Sequence, residues 1–118
     1  MSETFNDLVQ QSYDLIESIK QLRKALLDYQ KGCERLLKTG ELDRSTVERV
    51  ELLQFAERRE RLAGALAEFE AARRRALIGL IDVAGEEGSN LSEVARTLGV
   101  SRQLLSRLSI ESRRDDSH

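Results

Sequence analysis

Apolar residues recur along the first third of the chain at alternating steps of three and four: Phe5, Leu8, Leu15, Ile19, Leu22, Leu26, Tyr29, Cys33 and Leu36, with Ser12 the polar member of the series. A period near 3.5 residues, sustained over this length, predicts one long helix with a coiled-coil seam. Val9, Ile16 and Leu37 widen the stripe on one side, enough to bury against more than one neighbour. Cys33 lies within the stripe and is expected as a small buried residue. Lys38, Thr39 and Gly40 supply a cation and then a glycine, which predicts the end of the helix there.

The pattern restarts a few residues later. Ser45 with Glu48 fits a capping box; Asp43 as the cap would instead let Leu42 staple onto Val47, and both registers stand. From there a second helix is expected to run unbroken to about Ala84. Its best seam is Leu52, Phe55, Arg59, Leu62, Leu66, Phe69, Arg73, Ala76, Leu80 and Val83. Arg59 and Arg73 interrupt it two heptads apart. They either fix register from inside the seam or turn out to solvent. Gly64 and Gly79 each weaken a helix by roughly 1 kcal/mol relative to alanine, and either can permit a close helix crossing. The short connection predicts an antiparallel hairpin, closed within one chain or exchanged between two. The run Arg73-Arg74-Arg75 is a solvated face or a phosphate contact. It adjoins an apolar segment, 76–84, suited to be the first helix of a three-helix unit.

The segment 90–110 has a different rhythm. Asn90 can cap a helix, with Glu93 three residues on. Val94, Ala95 and Leu98 share a face, and Ala95 is small where two helices must cross. Gly99 permits a positive φ, Val100 fills the corner and Ser101 caps a last helix. On that helix Leu104, Leu105 and Leu108 point one way. Gln103 and Ser106 point the other, flanked by Arg102 and Arg107. Arginine reads guanine, glutamine reads adenine and serine adapts to either, so Ser101, Arg102, Gln103, Ser106 and Arg107 are the candidate base-reading residues. Ser92, Arg96 and Thr97 on the preceding helix, with Arg113 and Arg114 beyond the last apolar turn, are candidate phosphate contacts.

Read from Leu91 to Leu108, LSEVARTLGVSRQLLSRL resembles the bacterial helix-turn-helix found in site-specific recombinases, sigma-factor-like domains and many repressors. The small Ala95, the Leu98-Gly99-Val100 turn, the Ser101-Arg102-Gln103 opening and the apolar Leu105 and Leu108 carry the likeness. It covers about 20 residues, or about 40 with the preceding helix, and it implies major-groove DNA binding by the last helix. Leu104 departs from the pattern, standing where many relatives are polar or β-branched. It either enlarges the core or touches a thymine methyl. The helical arm resembles no family.

Composition narrows the class. Of 118 residues 34% are charged and 4% aromatic, and there is no proline, which favours an all-α chain. The net charge of −2 excludes a polycation that coats nucleic acid. From 88 to 114, however, five arginines face only Glu93 and Glu111, a local +3. One cysteine gives no internal disulfide. No apolar run nears the roughly 20 residues of a membrane span, and the polar N-terminus shows no secretion signal. The sole histidine, His118, is terminal. No histidine–nucleophile pair, glycine-rich phosphate loop or metal-ligand spacing is present, so the expectation is a non-enzyme without cofactor or metal.

The expected architecture is a long antiparallel helical hairpin or coiled coil (1–75), a three-helix helix-turn-helix unit (76–112) and a disordered tail (113–118). The expected function is a cytoplasmic, nucleoid-associated transcriptional regulator. It would be a homodimer through the arm, reading half-sites about 34 Å apart in double-stranded DNA. The alternatives are a DNA-organising or partition protein bridging sites, and an adaptor that docks on a protein partner such as RNA polymerase without binding DNA.

Overall fold

The computed structural model describes residues 2–39 and 45–116, and side chains as far as Glu111. The described residues form five helices and no strand: α1 Glu3–Lys38, α2 Thr46–Leu52, α3 Phe55–Glu86, α4 Leu91–Leu98 and α5 Arg102–Asp116. The chain is all-α. No described helix is long and apolar enough to cross a membrane. Gly40, Leu42 and Asp43, parts of the expected turn and of one cap register, lie outside the described residues. The other register is the one present: Ser45 is the N-cap of α2, and its hydroxyl accepts from the Glu48 N–H at 3.2 Å.

The expected second helix, continuous from 45 to 84, is two helices. Leu53 and Gln54 break it, and Gln54 sits at φ 56°, a left-handed conformation that costs a non-glycine residue about 1 kcal/mol. Arg58 holds the break in place. Its Nε donates to the Leu53 carbonyl at 2.8 Å, satisfying an oxygen at the end of α2. Periodicity alone could not show this, because the apolar pattern runs through the break without a change of phase.

Two compact units share the long helices: residues 16–71, and residues up to Leu15 together with those from Ala72 onward. In the unit 16–71, the buried positions of α1 are Ser18, Ala25 and Gly32, three small residues seven apart. Small side chains let a neighbouring backbone or a long side chain come close, and Gly32 shows why. A methyl placed there would lie 2.8 Å from Cδ of Arg58. Arg58 is buried, with only 9% of its surface exposed. Its Nη1 donates to the Asp28 carbonyl at 2.6 Å and to Asp28 Oδ1 at 3.0 Å, while Arg61 Nη2 donates to Oδ2 at 2.9 Å. The Arg61 hydrogen bond, with the nearby charges of Arg58, Arg61 and Lys31, holds the Asp28 carboxyl below its ordinary pKa of 3.8, against a smaller opposing effect of desolvation. Tyr29 meets Phe55 edge to face, ring centroids 5.9 Å apart. Arg49 of α2 donates to the Thr39 carbonyl at the end of α1 at 3.3 Å.

This packing corrects the expected seam. Cys33 is exposed, not buried. The contact runs through the positions one residue earlier, so Ile19, Leu26 and Cys33 are rotated outward by about 100°. Arg59 and Arg73 are both exposed. The arginine inside is their neighbour, Arg58.

In the other unit, the first turns of α1 lie along the later turns of α3. Thr4 Oγ1 donates to Glu86 Oε1 at 2.5 Å. Seven residues along on each helix, Gln11 and Leu8 cover Gly79, where a methyl would approach Leu8 Cδ1 to 3.3 Å. Gly79 is thus the close-approach glycine; Gly64 has nothing near it. Helix α3 continues through Gly79 and ends past the expected Gly85. Gly88 adopts φ 87°, the Ser89 N–H donates to the Ala84 carbonyl at 2.9 Å and the Gly88 N–H to the Gly85 carbonyl at 3.1 Å. This is a Schellman termination, which needs a residue at ease with positive φ. Helix α5 runs to Asp116, beyond the expected end at 110, so 113–116 continue the helix instead of forming a loose tail.

Candidate nucleic-acid interface

The helix-turn-helix is assembled from local rules that the sequence obeys. Asn90 caps α4, its Oδ1 accepting from the Glu93 N–H at 2.9 Å, and its Nδ2 donates to the Glu93 carboxylate at 3.3 Å. Gly99 ends α4 at φ 70°. The Val100 N–H donates to the Ala95 carbonyl at 3.0 Å and the Gly99 N–H to the Arg96 carbonyl at 3.3 Å, a second Schellman motif. After this three-residue turn, Ser101 caps α5, its hydroxyl accepting from the Leu104 N–H at 3.1 Å.

The turn brings α5 across α4 and the end of α3. Ile81, Ala95, Leu105 and Leu108 form the buried cluster, with Leu77, Ile78, Leu91, Val94, Val100 and Leu104 packed on it. Leu105 has no exposed surface at all. The segment 76–84 therefore supplies the third helix of the core, as its apolarity predicts. Leu104, partly buried, packs on this cluster and enlarges the interior. Ala95 is 5% exposed at the crossing, where a larger side chain would hold the helices apart.

With its inner face locked, α5 presents a defined outer face. Arg102, Gln103, Ser106 and Arg107 line one shallow concave surface. Arg102, Gln103 and Arg107 are exposed and Ser106 is half-buried. Among the described residues no side chain pairs with Arg102 or Arg107. Glu111, one turn beyond Arg107 and placed to pair with it, is instead held by Arg74 of α3 in an ion pair. That pair ties α5 to α3 and engages the Glu111 carboxylate. Nothing in the sequence marks it, because the partners are far apart in the chain. It gives Arg74 of the arginine run a partner within its own unit.

The other expected contacts are distributed unevenly. Ser101 is exposed, and its hydroxyl oxygen already accepts a helix-capping bond, leaving its O–H to donate. Ser92 and Arg96 are exposed on α4. Thr97 donates to the Glu93 carbonyl at 2.9 Å and lines a separate cleft with Leu80, Ala84, Ser89, Glu93, Val94 and Leu98, away from the α5 face. The side chains of Arg113 and Arg114 lie outside the described residues.

Two guanidinium groups, one amide and one hydroxyl on one helical face make a set of hydrogen-bond donors and acceptors with positive charge and no carboxylate among them. Such a face suits a surface that is anionic and rich in acceptors. No protein-family model, characterised protein or solved structure matches this chain.

Proposed function

We propose that this chain is a sequence-specific DNA-binding protein, a transcriptional regulator that seats α5 in the major groove. The supporting observation is the division of α5 into a fully locked inner face, centred on Leu105, and an outer face carrying Arg102, Gln103, Ser106 and Arg107. A side chain can discriminate a base edge only if its helix is held in one orientation, and the Arg74–Glu111 pair adds to that hold. Arg102 and Arg107 would pair bidentately with guanine and Gln103 with adenine, with Ser101 and Ser106 adapting to either. Ser92 and Arg96 would anchor the backbone. The protein would act as a homodimer on two half-sites about one helical turn, ~34 Å, apart, bound to the nucleoid in the cytoplasm.

Selection from a random duplex library, followed by sequencing, tests this directly. The expected product is one enriched site with two-fold symmetry. Arg102→Ala and Arg107→Ala should each cost about 1–3 kcal/mol of binding and relax preference at one base position. Absence of DNA binding at low salt would overturn the proposal. Coating of unrelated sequences without enrichment would replace it with an architectural role.

A further inference from the structure

Ile110 stands near the centre of the outer face of α5 and is 51% exposed. The helical period puts it about 20° round the helix from Gln103 and about 40° from Ser106. From Leu105 and Leu108, which fill the interior of the head, it is turned away by about 140–160°. The helix continues past it to Asp116. Gln103, Ser106, Arg107 and Ile110 thus follow one another at steps of three, one and three. A helix lying lengthwise in the major groove offers base edges this spacing. An exposed isoleucine is ordinary on a protein surface. One set among two guanidinium groups, an amide and a hydroxyl bears on what that face can bind.

Base pairs present donors, acceptors and one apolar group to the major groove, and the apolar group is the C5 methyl of thymine. Isoleucine neither donates nor accepts. Against guanine N7 and O6 or the cytosine amino group it would displace water and return no hydrogen bond. Against the thymine methyl it buries apolar surface instead. Its β-branch leaves one strongly preferred χ1 rotamer in a helix, so little ordering is needed for the contact. Leu104 packs inward on the buried cluster, and Ile110 is the apolar side chain directed outward. It lies about 10 Å along the helix from Gln103, well beyond the roughly 3.4 Å between successive base pairs, so it meets a base pair of its own.

We infer that Ile110 is a specificity-determining residue that selects a thymine by its 5-methyl group, one helical turn beyond the bases facing Ser106 and Arg107. This rests on the DNA reading proposed for α5 and adds an apolar element to a polar face. The discrimination works in both directions. A thymine methyl is favoured, and a G·C pair is disfavoured because its polar edge is left unpaired.

The test uses the full chain and the duplex it selects, with each thymine in turn replaced by deoxyuridine, which lacks only the methyl group. Binding is followed by fluorescence anisotropy. At one thymine of each half-site the native chain should lose roughly fourfold in affinity, the worth of one buried methyl group. Ile110→Ala should bind thymine and uracil alike at that position, keep the native preference at the others and unfold at the native temperature. Ile110→Val, still β-branched, should retain part of the uracil penalty. Equal binding of thymine and uracil by the native chain at every position would overturn the inference. So would a uracil penalty that survives intact in Ile110→Ala. Both results leave the DNA reading standing, whereas a chain that selects no site removes that reading and this inference with it.

Discussion

Arg58 offers the sharpest test of what holds the arm together. Its guanidinium bonds two main-chain oxygens, of Leu53 at 2.8 Å and Asp28 at 2.6 Å, from a position 9% exposed. A hydrogen bond from a charged donor contributes about 1.5–3 kcal/mol net. Truncation to alanine removes both, but it also relieves the guanidinium of its desolvation, which offsets part of the loss. The expected cost of Arg58→Ala is therefore about 2–4 kcal/mol, or roughly 8–16 °C in Tm for a chain of this size. Urea and thermal unfolding followed by circular dichroism would measure it. Arg58→Met keeps most of the packing over Gly32 and loses only the polar bonds. Arg58→Lys keeps the charge, but a single ammonium cannot span the same acceptors. Gly32→Ala supplies the internal check. In the native chain the added methyl would lie 2.8 Å from Arg58 Cδ and 3.1 Å from Nε, on a side chain pinned by its hydrogen bonds, so it should destabilise. With Arg58→Ala in place, the same substitution should stabilise by about 1 kcal/mol through helix propensity. An Arg58→Met protein as stable as the native one would refute the reasoning, as would a Gly32→Ala effect that keeps its sign in both backgrounds.

Three further outcomes follow from the same structure. Because the Asp28 carboxyl is held below its ordinary 3.8 in the folded chain, its contribution should be complete above that value and fade as pH falls through the lowered one; unfolding of native and Asp28→Asn proteins between pH 7 and pH 2 should show two stability curves that converge in acid. Leu105→Ala, at a site with no exposed surface, should cost about 2–5 kcal/mol and lower the thermal unfolding midpoint, whereas Arg107→Ala, on the exposed face, should leave the unfolding curve unmoved. Gly99→Ala, at φ 70°, should cost about 1–2 kcal/mol and Gly99→Asn distinctly less, readable by thermal unfolding, since asparagine tolerates the left-handed region.

Much of the head was legible in the sequence because its signals are local. Asn90 with Glu93, Gly99, Ser101 and the spacing of Ala95, Leu105 and Leu108 each act within a turn or two of the chain, and each stands where its residue type predicts. The helical period of α1 was equally plain. Its rotation was not. The apolar stripe is wide enough to be centred on Leu26 and Cys33 or on Ala25 and Gly32, and only the close approach of Arg58 to Gly32 selects the second. Hydrophobicity favours large residues in a seam, whereas a tight crossing favours small ones, and the sequence carries both patterns at once.

The break at Gln54, the burial of Arg58 in place of Arg59 and the Arg74–Glu111 pair belong to the tertiary structure alone. Each joins residues distant in sequence, or turns on a difference of one position that only packing resolves. The sequence by itself determined the all-α class, the caps and turns of the helix-turn-helix and the face of α5 on which Arg102, Gln103, Ser106 and Arg107 lie. Those features depend on backbone preference and helical period, which act over a few residues. Which charges are neutralised and which apolar stripe is left uncovered depends on where helices meet, and that is settled by the shapes of side chains brought together across the fold.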